Sequence, residues 1–206
     1  MTDSNFKSSK KWMDGKQRCE WCDPKDREYI RYHDEEWGIP VHNDMKLFEM
    51  LILELFQSGL SWACILHKRE AFRHAFSGFD PQIVSCYGEQ DVKRLSCNRF
   101  IIRHPGKINA TVHNAKVFRE IQRKYGSFDS YIWQWTDGKI LLESGKSRSE
   151  LSDKIAGDLK RKGMKYLGST TVYAYLQAVG IINGHEENCF KCKKTYHKRN
   201  KIDKTE

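Results

Sequence analysis

Apolar residues recur along this chain at helical spacing. Tyr29, Tyr32, Glu36 and Trp37 follow Asp26, a good N-cap residue. Leu47, Phe48, Leu51, Ile52 and Leu55 follow Asn43 or Asp44, until Gly59 breaks the run. Ser61 can cap the next helix, with Trp62, Ile65, Leu66, Phe72 and Phe76 inward, and Asp80-Pro81 marks another start. A long stripe runs from Ile108 through Val112, Ala115, Phe118 and Ile121 to Tyr125, closed by Gly126. Leu151, Ile155 and Leu159 form a stripe closed by Gly163; Val172, Tyr173, Leu176 and Val179 form one closed by Gly180. Strand-like alternation is scarce, and only Lys139 to Leu142 suits a short strand. The pattern predicts an all-α fold.

The length, 206 residues, suits one domain or two small lobes sharing a core. The net charge is +9, from 36 Lys and Arg against 27 Asp and Glu, which favours a polyanionic partner such as nucleic acid or an anionic membrane surface. Part of that excess lies near the ends. Residues 1–17 are Ser/Lys-rich and aperiodic, predicting a disordered tail, and residues 193–206 form a second basic tail. Solvated tails explain these charges equally well. No apolar run reaches the roughly 18 residues of a membrane span, and the first twenty residues lack the apolar centre of a secretory signal. The expectation is a cytoplasmic protein with no membrane partner. Thiols stay reduced there, so seven cysteines suggest metal binding or burial rather than disulfides.

Cys19, Cys22 and His33 lie near one end, and His185, Cys189 and Cys192 near the other. Thiolates and imidazoles suit a structural zinc ion, which takes four ligands in a tetrahedron. Two sets fit: Cys19, Cys22, Cys189 and Cys192, or Cys19, His33, His185 and Cys189. Six scattered residues without metal are the plain alternative. Cys64, Cys86 and Cys97 read as ordinary small residues.

Between the last two stripes lies Lys162-Gly163-Met164-Lys165-Tyr166-Leu167-Gly168, followed by Ser169, Thr170 and Thr171. Gly163 can end one helix, Gly168 can admit a close neighbour, and Ser169 or Thr170 can cap the next helix. A helix start with Lys162 and Lys165 nearby suits a DNA phosphate. An ordinary connection with glycine caps fits the same residues.

Glu54 to Trp62 ends an apolar helix, turns at Gly59 and begins another. Glu54 follows Leu51, Ile52 and Leu53, which places a carboxylate at the edge of the core, where it costs stability unless partnered. A salt-bridged Glu and a core Trp are the bland reading.

Several segments together closely resemble the 3-methyladenine DNA glycosylase I family. They are Tyr29 to Gly38, Leu47 to Met50, Gly59-Leu60-Ser61-Trp62, Ile101 to His104 with Gly106-Lys107-Ile108, and Lys165 to Thr171. The resemblance runs from about Cys19 to Cys189. It implies an all-α member of the helix-hairpin-helix glycosylase superfamily, with one glycosylase domain of two lobes over 18–192. It also implies a structural Zn2+ held by Cys19, His33, His185 and Cys189. Glu54 falls on the family's pocket carboxylate, Trp62 on its base-stacking tryptophan and Tyr32 on a pocket tyrosine. Trp21, Tyr29 and Trp37 fall on surrounding aromatics, and Leu60, beside Gly59, on the loop residue that fills the gap left by an extracted base. The implied activity is excision of 3-methyladenine from alkylated double-stranded DNA, giving free base and an abasic site without strand cleavage, by a monomer.

Relatives in the superfamily often carry an aspartate after the hairpin that assists water, whereas residues 172–187 contain only Glu186 and Glu187 as acids. Glu54 is therefore expected to detect a cationic base rather than to activate water. The chain departs from the family pattern at Leu55 and Phe56, which predicts an altered pocket shape. The extra thiols Cys22 and Cys192, and one extra residue between Cys19 and His33, are further departures. A non-catalytic, zinc-stabilised helix-hairpin-helix DNA-binding module is the competing reading. It accounts for charge, hairpin and cysteines, but not for a carboxylate beside a tryptophan at a helix break.

Overall fold

The computed structural model describes residues 10–192; residues 1–9 and 193–206, with most of both expected tails, lie outside the described residues. Residues 10–17 are not a free tail. The Lys10 ammonium donates to the carbonyls of Glu20 and Cys22, and the Arg18 guanidinium lies 4.8 Å from the Trp12 ring.

The chain is helical, as the pattern predicts. In order come α1 (Arg27–Glu35), α2 (Asp44–Gln57), α3 (Trp62–Leu66), α4 (Arg69–Ala75), α5 (Pro81–Val84), α6 (Glu89–Cys97), α7 (Pro105–Tyr125), α8 (Phe128–Trp133), α9 (Glu150–Arg161) and α10 (Ser169–Ala178). No helix among the described residues is long and apolar enough to cross a membrane. The expected caps form: Asp26, Asn43, Ser61 and Asp80 each accept a backbone N–H from the first turn that follows. The one strand-like stretch does form a strand, β1 (Leu141–Leu142). It pairs in parallel with β2 (Ile182–Asn183), which the sequence pattern does not announce.

α2 is the centre of the fold. Every residue from Leu47 to Phe56 is buried, and α7, α8 and α10 pack against the helix. That burial overrides the one-sided periodicity expected of a surface helix. Leu55 and Phe56 are wholly enclosed, with Phe56 against Phe72 at 4.8 Å. They sit in the core and not in the lining of the site's cavity.

The single helix expected from Trp62 to Phe76 is two. Lys68 takes φ −100° and ψ 0°, and the chain changes direction there. The redirected α4 places Arg69 against Glu49 of α2, at 2.6 Å, and against Glu36 just past α1, at 2.9 Å. Arg69 and Glu49 are both buried, so each charge depends on its partner. This pair locks α1 and α2 at a fixed separation.

The end of α10 sets a further constraint. The N–H groups of Gly38 and Val41 donate to the carbonyls of Gln177 and Val179, at 3.0 and 3.1 Å. Gly180 follows at φ +75°, and a Cβ there would overlap the backbone of Ile39 and Pro40. Gly180→Ala is expected to cost at least about 3 kcal/mol, read as a fall in Tm of roughly 10 °C. Gly126→Ala has a similar φ of +84° but open space around it, and should cost only about 1 kcal/mol.

Candidate active site

The helix break at Gly59 brings two walls together. Glu54 lies in the last turn of α2, and Trp62 opens α3, whose cap Ser61 accepts from the Cys64 N–H at 3.3 Å. Tyr29 and Tyr32 come from α1, Trp37 from just beyond it, and Trp21 from the segment before. These six residues, spread from Trp21 to Trp62 in sequence, line one cavity of about 380 Å³. Tyr32 and Trp62 lie 5.1 Å apart centre to centre, and Trp21 meets Tyr29 at 5.1 Å and Trp37 edge-on at 4.8 Å. The result is a rigid aromatic slot with one acid in it.

That acid has no partner. Glu54 is 5 % exposed, and its Oε2 makes no hydrogen bond. Burial alone pushes its carboxyl up to about 8. The Trp62 indole N–H is also buried and unpartnered. Burial likewise holds the Tyr32 phenol protonated, well above its ordinary range. Buried polar atoms are satisfied almost everywhere in proteins. Here two residues that line one cavity each keep a buried polar atom without a partner, so the arrangement suits a flat ligand carrying hydrogen-bond donors or positive charge.

The rest of the lining was not assigned from sequence, although Gln57 lies within the Glu54 to Trp62 segment. It comprises Gln57, Gly145, Lys146, Ala174, Gln177, Gly184 and Glu186. One signal was present: Gln177 is a polar residue in the otherwise apolar run of α10. Glu186 also accepts the Glu20 N–H through both oxygens, at 3.1 and 3.0 Å.

Beside the cavity, Cys19, His33, His185 and Cys189 are all buried, with donor atoms within 4.8 Å of one another. Cys19 Sγ lies 3.4 Å from His185 Nδ1, and Cys189 Sγ lies 3.4 Å from both His33 Nε2 and His185 Nδ1. Tetrahedral zinc with ordinary bond lengths separates sulfur and nitrogen ligands by about 3.6 Å. The outer ring nitrogens are also anchored. His33 Nδ1 meets Asp34 at 2.8 Å, and His185 Nε2 lies 3.3 Å from the Trp37 carbonyl. Such outer contacts orient metal-binding imidazoles. Cys22 and Cys192 are not drawn into this group; burial raises the Cys22 thiol to about 12. The arrangement fits a metal held by two cysteines and two histidines, and the four-cysteine set is not assembled. The cluster also touches the cavity, since Trp37 meets His185 edge-on at 4.5 Å and Trp21 packs on His33 at 5.2 Å.

Leu60 stands 41 % exposed on the turn after α2, beside Gly59. The α9–α10 connection is tightly made. The N–H of Met164 donates to Leu159 and that of Gly163 to Lys160, the paired bonds of a Schellman ending with Gly163 at φ +99°. Three expectations need correction. Neither Ser169 nor Thr170 caps α10: Gly168 is the cap residue, and the Ser169 hydroxyl instead bonds that of Ser152 at 2.8 Å. Gly168 has no protein atom within 4 Å of a built Cβ, so no close neighbour within the fold requires glycine there. Lys162 is not a free cation, because Asp158 holds its ammonium at 3.2 Å. Lys165 and Thr170 remain exposed.

A family model described as methyladenine glycosylase matches residues 21–192. The chain is 38% identical over 179 residues to DNA-3-methyladenine glycosylase 1 of Escherichia coli (strain K12), covering 84% of this chain and 95% of that protein. It is 36% identical to the DNA-3-methyladenine glycosylase of Haemophilus influenzae, covering 84% of this chain and 96% of that protein. Among solved structures, a crystal structure of 3-methyladenine DNA glycosylase I superposes with a TM-score of 0.81 at 40% identity, covering 84% of this chain and 98% of that one. A Staphylococcus aureus 3-methyladenine DNA glycosylase I, studied for 3-methyladenine recognition, superposes at 0.80 with 35% identity, covering 82% and 94% of the two chains. The shared helical fold and the near-complete coverage on both sides lead to one conclusion: this chain belongs to the methyladenine glycosylase family.

Proposed function

We propose that this protein is a DNA repair enzyme that flips 3-methyladenine out of alkylated duplex DNA and hydrolyses its glycosidic bond. The products are free 3-methyladenine and an abasic site. One observation carries the reading: an unpartnered, buried Glu54 carboxyl beside Trp62 inside an aromatic slot.

A base within a duplex is out of reach, so it must leave the stack. Adenine methylated at N3 is cationic in the nucleotide. Trp62 stacks on that ring, with a cation–π contribution of about 1–2 kcal/mol once water is gone. The Glu54 carboxylate accepts from the amino edge and favours the positive charge, and Tyr32, Tyr29, Trp21 and Trp37 close the slot. Water adds to the sugar carbon as the bond from that carbon to the base breaks. The bonding electrons neutralise the departing base, and the water proton goes to solvent. No lysine adduct forms, so the strand stays intact. Leu60 fills the vacated gap.

The α9–α10 connection acts as a helix-hairpin-helix grip on the DNA backbone. The start of α10 faces a phosphate, with room at Gly168 for close approach and charge from Lys165. Lys162 contributes less, because Asp158 already neutralises it.

Cys19, His33, His185 and Cys189 hold a structural Zn2+. The ion supplies no reaction step; it fixes Trp21 and Trp37, the cavity walls that contact its ligands.

Glu54→Ala should abolish most release of 3-methyladenine from methylated DNA while weak DNA binding persists; undiminished release would remove the carboxyl from this role. Near neutral pH the empty site holds Glu54 mainly protonated, and a cationic base binds the ionised form, so base capture expels a proton. The expected kcat/KM therefore climbs from about pH 6 to about pH 8 and levels above it, and Glu54→Gln flattens that limb. The same carboxyl penalises folding. It keeps its proton between the unfolded value of 4.5 and about 8, where the unfolded chain has lost it, so stability falls as pH rises through that window. Glu54→Gln should raise Tm by about 5 °C or more at pH 8 and leave it nearly unchanged near pH 4. Metal analysis of a Cys22→Ser, Cys192→Ser variant should find one zinc per chain, whereas His185→Ala should lose it together with 3-methyladenine affinity.

A further inference from the structure

Lys107 is a buried cation without a carboxylate. It sits in the first turn of α7, 6 % exposed, and its ammonium donates to the carbonyls of Phe56 at 2.9 Å and Ser58 at 2.7 Å. Burial lowers its pKa. Those carbonyls end α2, which has no basic residue of its own in its last turn. A cation at a helix C-terminus satisfies both the orphaned carbonyls and the negative end of the dipole. The carbonyls also begin the Gly59–Leu60 turn, so Lys107 fixes where that turn leaves the core.

The same helix grips the hairpin. Two turns further along α7, His113 donates to the Gly163 carbonyl at 2.8 Å. Asn114, fully buried, accepts the Lys165 N–H at 2.8 Å and donates to the Lys165 carbonyl at 2.9 Å. Seven residues of helix separate Lys107 from Asn114, a rise of about 10 Å. One rigid segment thus anchors both the turn carrying Leu60 and the loop between α9 and α10.

We infer that Lys107 is a positioning residue for base extrusion: through α7 it sets the Leu60 turn at a fixed offset from the hairpin. Backbone grip and gap filling then occur on one frame. The inference rests on the functional reading above. Lys107 is not among the residues that line the cavity, so its effect falls on extrusion and not on base recognition.

Lys107→Met in the full-length, zinc-loaded protein tests this. Free 3-methyladenine, followed by tryptophan fluorescence, should bind as to the unaltered protein. Single-turnover release of a paired lesion should slow by about a hundredfold. Release of a lesion in a mismatched duplex, where extrusion costs less, should slow far less. Leu60→Ala should add little in the Lys107→Met background, because both act on the same turn. Equal slowing on both duplexes, or none on the paired one, overturns the inference. If Lys107→Met does not fold, His113→Leu loosens the other anchor and must show the same selective loss on paired lesions; its absence is equally decisive. No release from either duplex by the unaltered protein would instead overturn the glycosylase reading itself.

Discussion

Everything around the cavity answers one constraint: a carboxyl group is held out of water with nothing to neutralise it. Glu54 has no cation, no backbone N–H and no hydroxyl within hydrogen-bond reach on its inner oxygen. A side chain so placed tends to drag the helix end towards solvent. The fold prevents this by burying α2 from Leu47 to Phe56, with α7, α8 and α10 packed against it. The carboxyl thereby stays beside the aromatic walls of the cavity.

Two other devices serve the same end from different sides. The Arg69–Glu49–Glu36 pairing holds α1 against α2, so Tyr29 and Tyr32 face Glu54 at a set spacing. The Cys19–His33–His185–Cys189 cluster stands behind Trp21 and Trp37. One device uses buried charge and the other soft metal ligands, and each constrains the same aromatic wall. A slot that must discriminate a flat ring by stacking needs walls that do not yield.

Much of this was readable from residue patterns. Helix starts at Asp26, Asn43, Ser61 and Asp80 were legible, because a cap is a local contract between neighbours in sequence. The aromatic wall, Glu54 and the four cluster residues were legible in combination, and the structure gathers them as the resemblance implied. The break at Lys68 was not, since Phe72 and Phe76 keep an inward face on either side of it. Nor was α6, which buries only Leu95, or α8, which spans six residues. Lys107 stands in sequence only as part of the Gly106-Lys107-Ile108 segment of the resemblance, with no role attached, and the end of α2, about fifty residues away in the chain, gives it one. The lining residues Lys146, Gln177 and Glu186 were hidden for the same reason. Periodicity reports that a residue is inside, not what it meets there.

The cluster also joins residues 166 positions apart, Cys19 and His185. Closing so long a loop is slow and entropically costly, and early contacts within the chain cannot substitute for it. On a ribosome, Trp21 and Trp37 have no backing until His185 and Cys189 have emerged. The slot is therefore completed late in synthesis, and a nascent chain arrested before that point carries the helices of this fold without the rigid wall that a stacked base requires.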